Sequence, residues 1–532
     1  MLKSAPKLQA ILQIAFIGLF VAIVLAQANP LYQVPNRDGG LFMYMGDQML
    51  KGKLLYVDIW DNKGPLVFYI NALGLFLGRG LRWGVWGVEF IFIFFAAFFG
   101  FNLMKKLWGL VPAIVGTWLW LSGLNELARG GNFTEDYSML FNFAALYTFW
   151  LLLQKIEKNT ESRFYPFIIG VTLSLSFLLR ANNIGVQLSI ILIIILSAIL
   201  DKSYKQGFKN LLWLGLGCLS VFVLVGLYFQ LLGTLEEMVV AGYIYNFFYS
   251  SGGVKLSELP HSLTRGANLL NYIFVITVLG FVVLAEKLPG IFRSGTKSLR
   301  NLYLLFLIGW PVEIVLSGLS GRNYPHYFIC WLPYVGVLSA LLTHTLIPTI
   351  MERLNKRPSV SLVMAIALLS VINLASLEQY KTAFTQLLTN TGAGVEFAHP
   401  VARYVRENTE PNDRVLVWGF QPFINLMAHR ESSTGVLSYP VLIESPYSDA
   451  LNDRFYQELI ENKPVLIVDM VNPDNDTIPF IDPVRREEQA QRLKNFNPPS
   501  NLDQVFDYIH NNYHVETEIA KVVIYRLNNT SK

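Results

Sequence analysis

The sequence predicts an all-α polytopic membrane protein with a small α/β domain at its C-terminal end. The 532-residue chain is 53% hydrophobic and only 15% charged, whereas soluble domains carry roughly 25% charged residues. Apolar runs of about 20 residues, enough for a helix to cross a bilayer, recur up to residue 377. Charged helical patterns and short β-branched runs replace them afterwards, and this alternation is typical of a small α/β domain.

Hydropathy and window length predict about eleven spanning helices. They lie near residues 8–28, 84–104, 109–124, 137–154, 164–180, 184–200, 210–232, 268–286, 301–319, 327–347 and 359–377. The first run ends at Ala26-Gln27-Ala28, so a cleaved signal peptide is an alternative to the uncleaved anchor that we favour. The apolar run 66–77 is too short to span, and we interpret it as a juxtamembrane or re-entrant helix.

Lysine and arginine predict the orientation of these helices. With a cytoplasmic N-terminus, the basic loops all lie on the cytoplasmic side, as the positive-inside rule requires; they are 105–106, 155–163, 202–209, 287–300 and 353–357. The predicted domains are a membrane domain at 1–378, with a first external loop at 29–83, and an external domain at 379–532. In the external domain we predict helices at 395–408, 448–462 and 502–512 and strands at 414–417, 464–468 and 521–525.

Charged residues concentrate in the stretch 37–66, RDGGLFMYMGDQMLKGKLLYVDIWDNKGPL. Ionisable groups beside a membrane are costly to desolvate and are therefore functional candidates. Asp38 can act as a general base toward a hydroxyl; the alternative is a solvated Asp that caps a helix over 38–49. Lys63 precedes the run 66–77 and can hold a phosphate together with free backbone N–H groups, or it can snorkel to the interface.

Other external positions carry further candidates. Glu135 and Asp136 belong either to a second acidic loop of the site or to a helix N-cap with a favourable dipole. Arg180 lies at an external turn, where it pairs with a lipid phosphate or with nothing specific. Arg322 and His326, with Tyr327 beside them, form either a second anion clamp or an ordinary interfacial belt. External acids and cations together suit transfer from a lipid-linked phosphate, because the leaving phosphate needs cations and a single base suffices, whereas a glycosidase needs two carboxyl groups.

Several classes of function are disfavoured by the sequence. The net charge is only +4, with no basic stripe interleaved with aromatic residues, so we expect no nucleic-acid partner. Cys218 and Cys330 lie far apart in apolar segments and are interpreted as buried hydrophobic residues rather than a disulfide. No metal-spaced cluster and no cofactor motif is evident, although the acids could hold a divalent ion; metal use stays open.

One region of the sequence resembles a known family. The order Asp38, Tyr44, Gly52, Tyr56, Asp58, Trp60, Asn62-Lys63 and Pro65-Leu66 is similar to the first external loop of the dolichyl-phosphate-mannose protein mannosyltransferase superfamily, which includes the bacterial lipid A aminoarabinose transferase. These are C-type glycosyltransferases, multispan enzymes that use polyprenyl-phosphate sugars on the outer face of the membrane. The turn Arg322–Tyr327 resembles a late external motif of this group. The resemblance covers most of residues 1–350 and is strongest over 37–66.

The resemblance implies roles for individual residues. Asp38 matches the acidic position proposed as the catalytic base, and Lys63 matches the lysine that engages the donor phosphate. Asp61 stands at an acidic or polar position beside it, and Arg322 corresponds loosely to a basic residue near that phosphate. We add Arg180 to the phosphate contacts and expect a supporting set, namely Asp61, Asp58, Glu135, His326 and Tyr327. Asp38-Gly39 replaces the Asp-Glu that is frequent in the family, and Lys63-Gly64-Pro65 replaces Lys-Pro-Pro.

The expected function is an inverting glycosyltransferase that moves a sugar from a polyprenyl phosphate to an extracytoplasmic hydroxyl of a lipid, glycan or protein. Its partners would be membrane lipids, the polyprenyl-phosphate sugar and the acceptor, and its location a bacterial plasma membrane. The main alternative is a transporter or flippase of lipid-linked sugars, but the sequence lacks the two related halves and midplane charges typical of that class. A non-catalytic scaffold that binds a cell-wall partner through 379–532 is a further alternative.

Overall fold

The computed structural model of the protein describes residues 5–26, 28–30, 34–249, 256–319, 321–354, 381, 385, 389, 399–437, 445–474, 478–493, 496 and 502–528. The predicted helix at 359–377 lies outside these residues, and so does the predicted domain boundary at residue 378, which stays a prediction. The chain forms two compact units. We call them the helical unit (Met1–Asn29, Gly87–Tyr228 and Gly252–Phe384) and the mixed unit (Pro30–Trp86, Phe229–Ser251 and Thr385–Lys532).

Helices dominate the chain up to Leu354. In order they are α1 Ala5–Val24, α2 Arg37–Leu50, α3 Leu66–Leu77, α4 Arg82–Trp108, α5 Leu110–Ala128, α6 Thr134–Glu157, α7 Phe164–Leu179, α8 Gly185–Leu200, α9 Tyr204–Leu231, α10 Leu235–Val239, α11 Tyr245–Tyr249, α12 Leu259–Leu270, α13 Tyr272–Ser294, α14 Lys297–Gly318 and α15 Leu332–Leu354. A π-helical turn joins α10 to α11 at Val240–Ile244, and 3₁₀ turns cover Leu256–Glu258 and Pro325–Trp331. The predicted external loop 233–267 is therefore largely helical where it is described.

Six of the described helical segments are long and apolar enough to cross a membrane: Arg82–Trp108, Thr134–Glu157, Tyr204–Leu231, Tyr272–Ser294, Lys297–Gly318 and Pro325–Pro348. Shorter apolar helices cover Ala10–Val24, Leu66–Leu77, Phe164–Leu179 and Gly185–Leu200. The predicted polytopic fold is thus confirmed. The short apolar run 66–77 is helix α3, with the bounds that hydropathy predicts.

Small residues let helices of the helical unit approach closely. A Cβ on Gly116 of α5 would lie 2.5 Å from the Gly336 carbonyl oxygen of α15, and one on Gly280 of α13 would overlap the carbonyl oxygen of Leu338. Backbone contact at small residues is how membrane helices pack where lipid removes the usual hydrophobic driving force. The most apolar stretch of the segment Pro325–Pro348, which includes much of α15, is 78% buried, against 11% for that of α9.

A four-stranded sheet anchors the mixed unit. Its strands are β1 Val415–Trp418, β2 Leu466–Asp469, β3 Tyr513–Ile519 and β4 Val522–Leu527, and they lie in the order β1-β2-β4-β3. Only the β1–β2 pair is parallel. Five helices are interspersed with these strands along the chain: α16 Pro400–Glu407, α17 Phe423–Ala428, α18 Ser448–Asn462, α19 Pro483–Arg492 and α20 Asp503–Asn512. The three predicted strands and three predicted helices are confirmed, whereas β3, α17 and α19 are elements that the sequence patterns did not indicate.

The segment Pro30–Trp86, which includes most of the predicted first external loop, belongs to the same unit as this sheet. Gly40 of α2 faces α17, where an added Cβ would lie 2.7 Å from the Cβ of Phe423. The backbone N–H of Ser432 donates to the Tyr44 hydroxyl oxygen at 2.7 Å, and the N–H of Trp60 donates to the Gly435 carbonyl at 2.8 Å. These contacts join segment 36–60 to the C-terminal domain and fix the backbone from which the charged side chains of the first loop project.

Candidate functional site

Asp38 lies in the first turn of α2, where the helix N-terminus favours negative charge. It does not cap the helix, because the Asn36 side chain accepts the capping hydrogen bond from the Gly39 N–H at 2.7 Å. Arg37 Nε pairs with the Asp38 carboxylate at 3.2 Å, and the Asp38 side chain is 18% exposed. The alternative of a capping aspartate is therefore wrong. The Asp38 carboxylate is thus a partly buried acid in the first turn of α2.

Asp58 stabilises a turn of the first loop. Its carboxylate accepts from the Leu54 N–H at 2.7 Å, and its carbonyl accepts from Arg454 Nη2 at 3.1 Å. The same turn holds Tyr56 in a left-handed conformation, with φ 71°, which for a bulky residue persists only when surrounding contacts enforce it. Asp58 thus holds this turn through both its side chain and its backbone carbonyl.

The segment Asp61-Asn62-Lys63 forms a tight polar turn just before α3. Asp61 is 1% exposed, and its Oδ1 accepts from the Lys63 backbone N–H at 3.0 Å. The Lys63 ammonium lies 3.8 Å from the same oxygen and 3.2 Å from Asn62 Oδ1. The Lys63 side chain is 29% exposed, so it is held at its base while its charge stays accessible. A lysine held in this way is able to bind an anionic ligand.

Tyr56 holds the same turn from the other side. Its hydroxyl donates to the Lys63 carbonyl oxygen at 2.7 Å, and Phe68 and Phe229 pack against its ring. Burial raises the pKa of Tyr56 well above its usual value, with smaller contributions from Tyr243 and Asp61. The hydroxyl therefore stays protonated and remains a hydrogen-bond donor.

In the helical unit, Glu135 and Arg180 form an ion pair. Arg180 follows the last residue of α7, and its Nη1 contacts Glu135 Oε1 at the start of α6. The Arg180 guanidinium also stacks 3.6 Å from the centre of the Tyr327 ring. Glu135 is 1% exposed and receives a second hydrogen bond from Thr134 Oγ1. The structure thus brings together three residues that lie far apart in the sequence.

An aromatic stack continues from Tyr327. The His326 ring lies 4.7 Å from that of Tyr327 and stacks on Phe133 at 4.3 Å with the planes 7° apart. Tyr324 lies parallel to His326 at 5.8 Å. Arg322 is exposed near the start of this turn. His326 is therefore a stacked ring within an aromatic cluster, and Arg322 is the more accessible cation.

Two buried acids position this region: Asp136, which the sequence singles out together with Glu135, and Glu89, which it does not. Glu89 Oε1 accepts from the Asn132 N–H at 2.8 Å, and Asp136 Oδ2 accepts from the Phe133 N–H at 2.9 Å. Gly131 is required beside Glu89, because its φ is +67° and an added Cβ would overlap Glu89 Oε1. The two acids fix the backbone that carries Phe133 and Glu135. Within the residues that the structure describes, no group of three or more His, Cys, Asp or Glu side chains is arranged to hold a metal ion.

The predicted site residues thus fall into two groups. Asp38, Asp58, Asp61 and Lys63 belong to the mixed unit, and Glu135, Arg180, Arg322, His326 and Tyr327 belong to the helical unit. Direct contacts join Asp61 with Lys63 and Glu135 with Arg180, while Asp58 is engaged in its own turn. Asn246, which contacts Asn62, was not predicted, and its distance of 184 residues along the chain leaves no local signal.

Comparisons with known proteins identify the fold. Residues 3–376 match the family described as "Putative competence-induced protein Ccs4 N-terminal domain". Among solved structures, ArnT from Cupriavidus metallidurans in the apo state matches with a TM-score of 0.57 and 11% identity, over 98% of this chain and 98% of that one. The same protein bound to undecaprenyl phosphate gives 0.55 and 12%, over 97% and 98%.

The oligosaccharyltransferase of Archaeoglobus fulgidus in the apo form matches with a TM-score of 0.52 and 15% identity, over 86% of this chain and 69% of that one. A search of curated protein sequences finds no match. At these identities the similarity shows the fold alone, and that fold is the polytopic C-type glycosyltransferase fold. The resemblance that the first external loop indicates is therefore confirmed for the fold.

Proposed function

This chain belongs to the family of the competence-induced protein Ccs4, and we propose that it is an inverting glycosyltransferase. It moves a sugar from a polyprenyl-phosphate donor to an extracytoplasmic hydroxyl of a lipid, glycan or protein. One observation carries the proposal: an accessible lysine is fixed beside a buried carboxylate in the Asp61–Lys63 turn. The fold supports it, because the neighbour ArnT matches over nearly the whole chain and binds undecaprenyl phosphate.

Asp38 is the proposed base. Its carboxylate takes the proton of the acceptor hydroxyl while that oxygen attacks the anomeric carbon of the sugar. The bond between the anomeric carbon and the phosphate oxygen breaks, and the electron pair leaves with the polyprenyl phosphate. Attack from the face opposite the leaving group inverts the configuration. The Asp38 carboxylate is partly buried and pairs with Arg37, while Asn36 caps the helix, and this placement at the start of α2 supports the assignment.

Lys63, Arg180 and Arg322 are the proposed contacts of the donor phosphate. Fixed cations stabilise the charge that develops on the leaving phosphate without reorganising during the reaction. Lys63 and Arg180 are each held by a nearly fully buried acid, Asp61 and Glu135 respectively. Arg322 is exposed and suits a second contact. Asp58, His326 and Tyr327 support the backbone and rings around these cations.

The protein is proposed to reside in a bacterial plasma membrane, with its N-terminus in the cytoplasm and residues 379–532 outside. The external location follows from the parity of the predicted helices and from the basic loops assigned to the cytoplasm. The donor then reaches the protein from the membrane, and the acceptor reaches it from the outer side.

Lipid analysis of deletion cells tests the function. Cells that lack the gene should accumulate one polyprenyl-phosphate sugar, which identifies the donor by mass spectrometry. Wild-type protein should clear it and Asp38→Asn should not. Asp47→Asn is the matched control, because Asp47 lies in the same helix and pairs with Lys51 at the surface at 2.8 Å. Clearance by Asp38→Asn at the wild-type level, with both variants present in the membrane, would refute the assignment of the base.

A further inference from the structure

We propose that Asn246, through Asn62, orients the Lys63 ammonium for the donor phosphate and is therefore a positioning residue of the reaction. The inference rests on the proposed function of Lys63. Its basis is a chain of hydrogen bonds in the mixed unit that runs from the π-helical turn Val240–Ile244 to the side chain of Lys63.

The first hydrogen bonds of this chain determine the orientation of the Asn62 side-chain amide. Lys63 Nζ donates to Asn62 Oδ1 at 3.2 Å, and Asn62 Nδ2 donates to Asn246 Oδ1 at 3.0 Å. An ammonium group is only a hydrogen-bond donor, so its partner must be the oxygen of the amide and not the nitrogen. Asn62 presents that oxygen to Lys63 as long as its nitrogen is engaged by Asn246.

The second link sets the amide of Asn246. Its Nδ2 donates to two backbone carbonyl oxygens, that of Asn62 at 2.8 Å and that of Gly242 at 2.7 Å. Carbonyl oxygens only accept hydrogen bonds, so a flipped Asn246 amide would set its own oxygen against both of them. The orientation of Asn246 is thus determined by its surroundings, and it determines that of Asn62 in turn.

The π-helical turn makes this geometry available. Single π turns within helices are frequent at functional sites, and here the turn places Gly242 against the Lys63 segment. A Cβ on Gly242 would lie 3.4 Å from the Tyr56 hydroxyl and 3.5 Å from the Lys63 carbonyl oxygen. Trp60 packs on Tyr245 at 5.0 Å, which fixes α11 next to the same loop. Asn246 therefore approaches Asn62 from a backbone that is held on both sides.

Binding of undecaprenyl phosphate to purified full-length protein tests the proposal. Asn246→Ala should weaken binding by about two- to tenfold, the range expected when one hydrogen-bonded orientation is lost. Asn246→Asp keeps the size of the side chain but removes both N–H donors, so it should weaken binding at least as much. Asn210→Ala is the matched control: Asn210 is 4% exposed and accepts a hydrogen bond from Gln206, and its removal should leave binding unchanged.

A double-mutant cycle separates positioning from general destabilisation. If Asn246 acts through Lys63, Asn246→Ala should have no further effect on binding once Lys63→Ala is present. If Asn246→Ala weakened lipid binding equally in the wild-type and Lys63→Ala backgrounds, the proposal would be overturned. It would also be overturned if Asn246→Ala and Asn246→Asp bound the lipid like the wild type while Lys63→Ala bound it weakly. In those two cases the proposed function stands. Failure of the wild type to bind the lipid at all would overturn the proposed function and the inference with it.

Discussion

At the scale of residues, two cations of this protein, Lys63 and Arg180, are each held by an acid that is more buried than the cation itself. Asp61 and Glu135 are each 1% exposed, while Lys63 and Arg180 keep accessible surface. A buried carboxylate is stable only when it is paired and hydrogen-bonded. The same contacts that stabilise the buried acids therefore also fix the two cations, and the proposed role in phosphate binding would use such fixed charges.

The pair Glu135–Arg180 gives a prediction on stability. Arg180→Ala leaves the Glu135 carboxylate buried without its ion-pair partner, and breaking such a pair costs roughly 3–5 kcal/mol. The melting temperature should fall accordingly. Adding Glu135→Gln removes the uncompensated charge and should restore most of the loss without restoring lipid binding. A double variant as unstable as Arg180→Ala alone would show that the pair is not what stabilises this turn.

Asp469, at the end of β2, gives a prediction on pH. Burial raises the pKa of its carboxyl group from 3.8 to about 7, although the N–H groups of Ile481 and Val471 donate to it. Between these two values the folded state holds a proton that the unfolded state has released, so the free energy of unfolding falls as the pH rises.

This decrease in the free energy of unfolding is complete above pH 7 and is on the order of 4 kcal/mol. In Asp469→Asn the melting temperature should fall much less between pH 4 and 7 than it does in the wild type. Thermal melting across that range measures the difference. A wild-type protein whose melting temperature rises with pH over this window, in a way that Asp469→Asn abolishes, would contradict the assignment.

At the scale of elements, glycines determine how closely the short helix α3 can pack. A Cβ on Gly84 of α4 would overlap the Gly74 carbonyl oxygen of α3, and one on Gly74 would lie 2.7 Å from the Cα of Val85. Because the atoms in contact are backbone atoms, no side chain can rotate away to make room for the added methyl group.

Gly84→Ala should therefore destabilise the protein by roughly 1–3 kcal/mol, the usual cost of overpacking. Gly87→Ala is the control three residues further on, because an added Cβ there meets nothing within 4 Å. Melting in detergent compares the two variants. Equal melting temperatures for Gly84→Ala and the wild type would mean that α3 moves away without cost.

Elements with a strong local signal were predictable from the sequence, and those without it were not. Helix α3 begins after Pro65 and ends before Gly78, so hydropathy and helix-ending residues agree. Strand β3 was missed because most of its residues are polar and exposed or half-buried, and because it follows α20 without a turn. Helix α17 has only 6 residues and is too short for a periodic pattern.

At the scale of the whole molecule, the sequence predicts the fold class because a bilayer tolerates so few structures. It does not predict that the segment Pro30–Trp86 and the C-terminal residues Thr385–Lys532 share one unit. The bond between Tyr44 and Ser432 joins residues 388 apart, and the bond between Asn62 and Asn246 joins residues 184 apart. For the candidate site, charges beside apolar runs are the signal from which Asp38, Lys63 and Arg180 are predicted, and their roles stay predictions. The neutral amide of Asn246 had no such signal.

Conversion of the lipid-linked sugar by purified protein is the measurement that tests the central claim most directly. Membranes from deletion cells supply donor and acceptor, and mass spectrometry follows both the polyprenyl-phosphate sugar and the free polyprenyl phosphate. We expect wild-type protein to convert the first into the second, and Asp38→Asn to be slower by roughly 100-fold or more. A lipid-linked sugar that stays intact with the wild type, or that both proteins consume equally, would contradict the account, and the first result would favour a transporter.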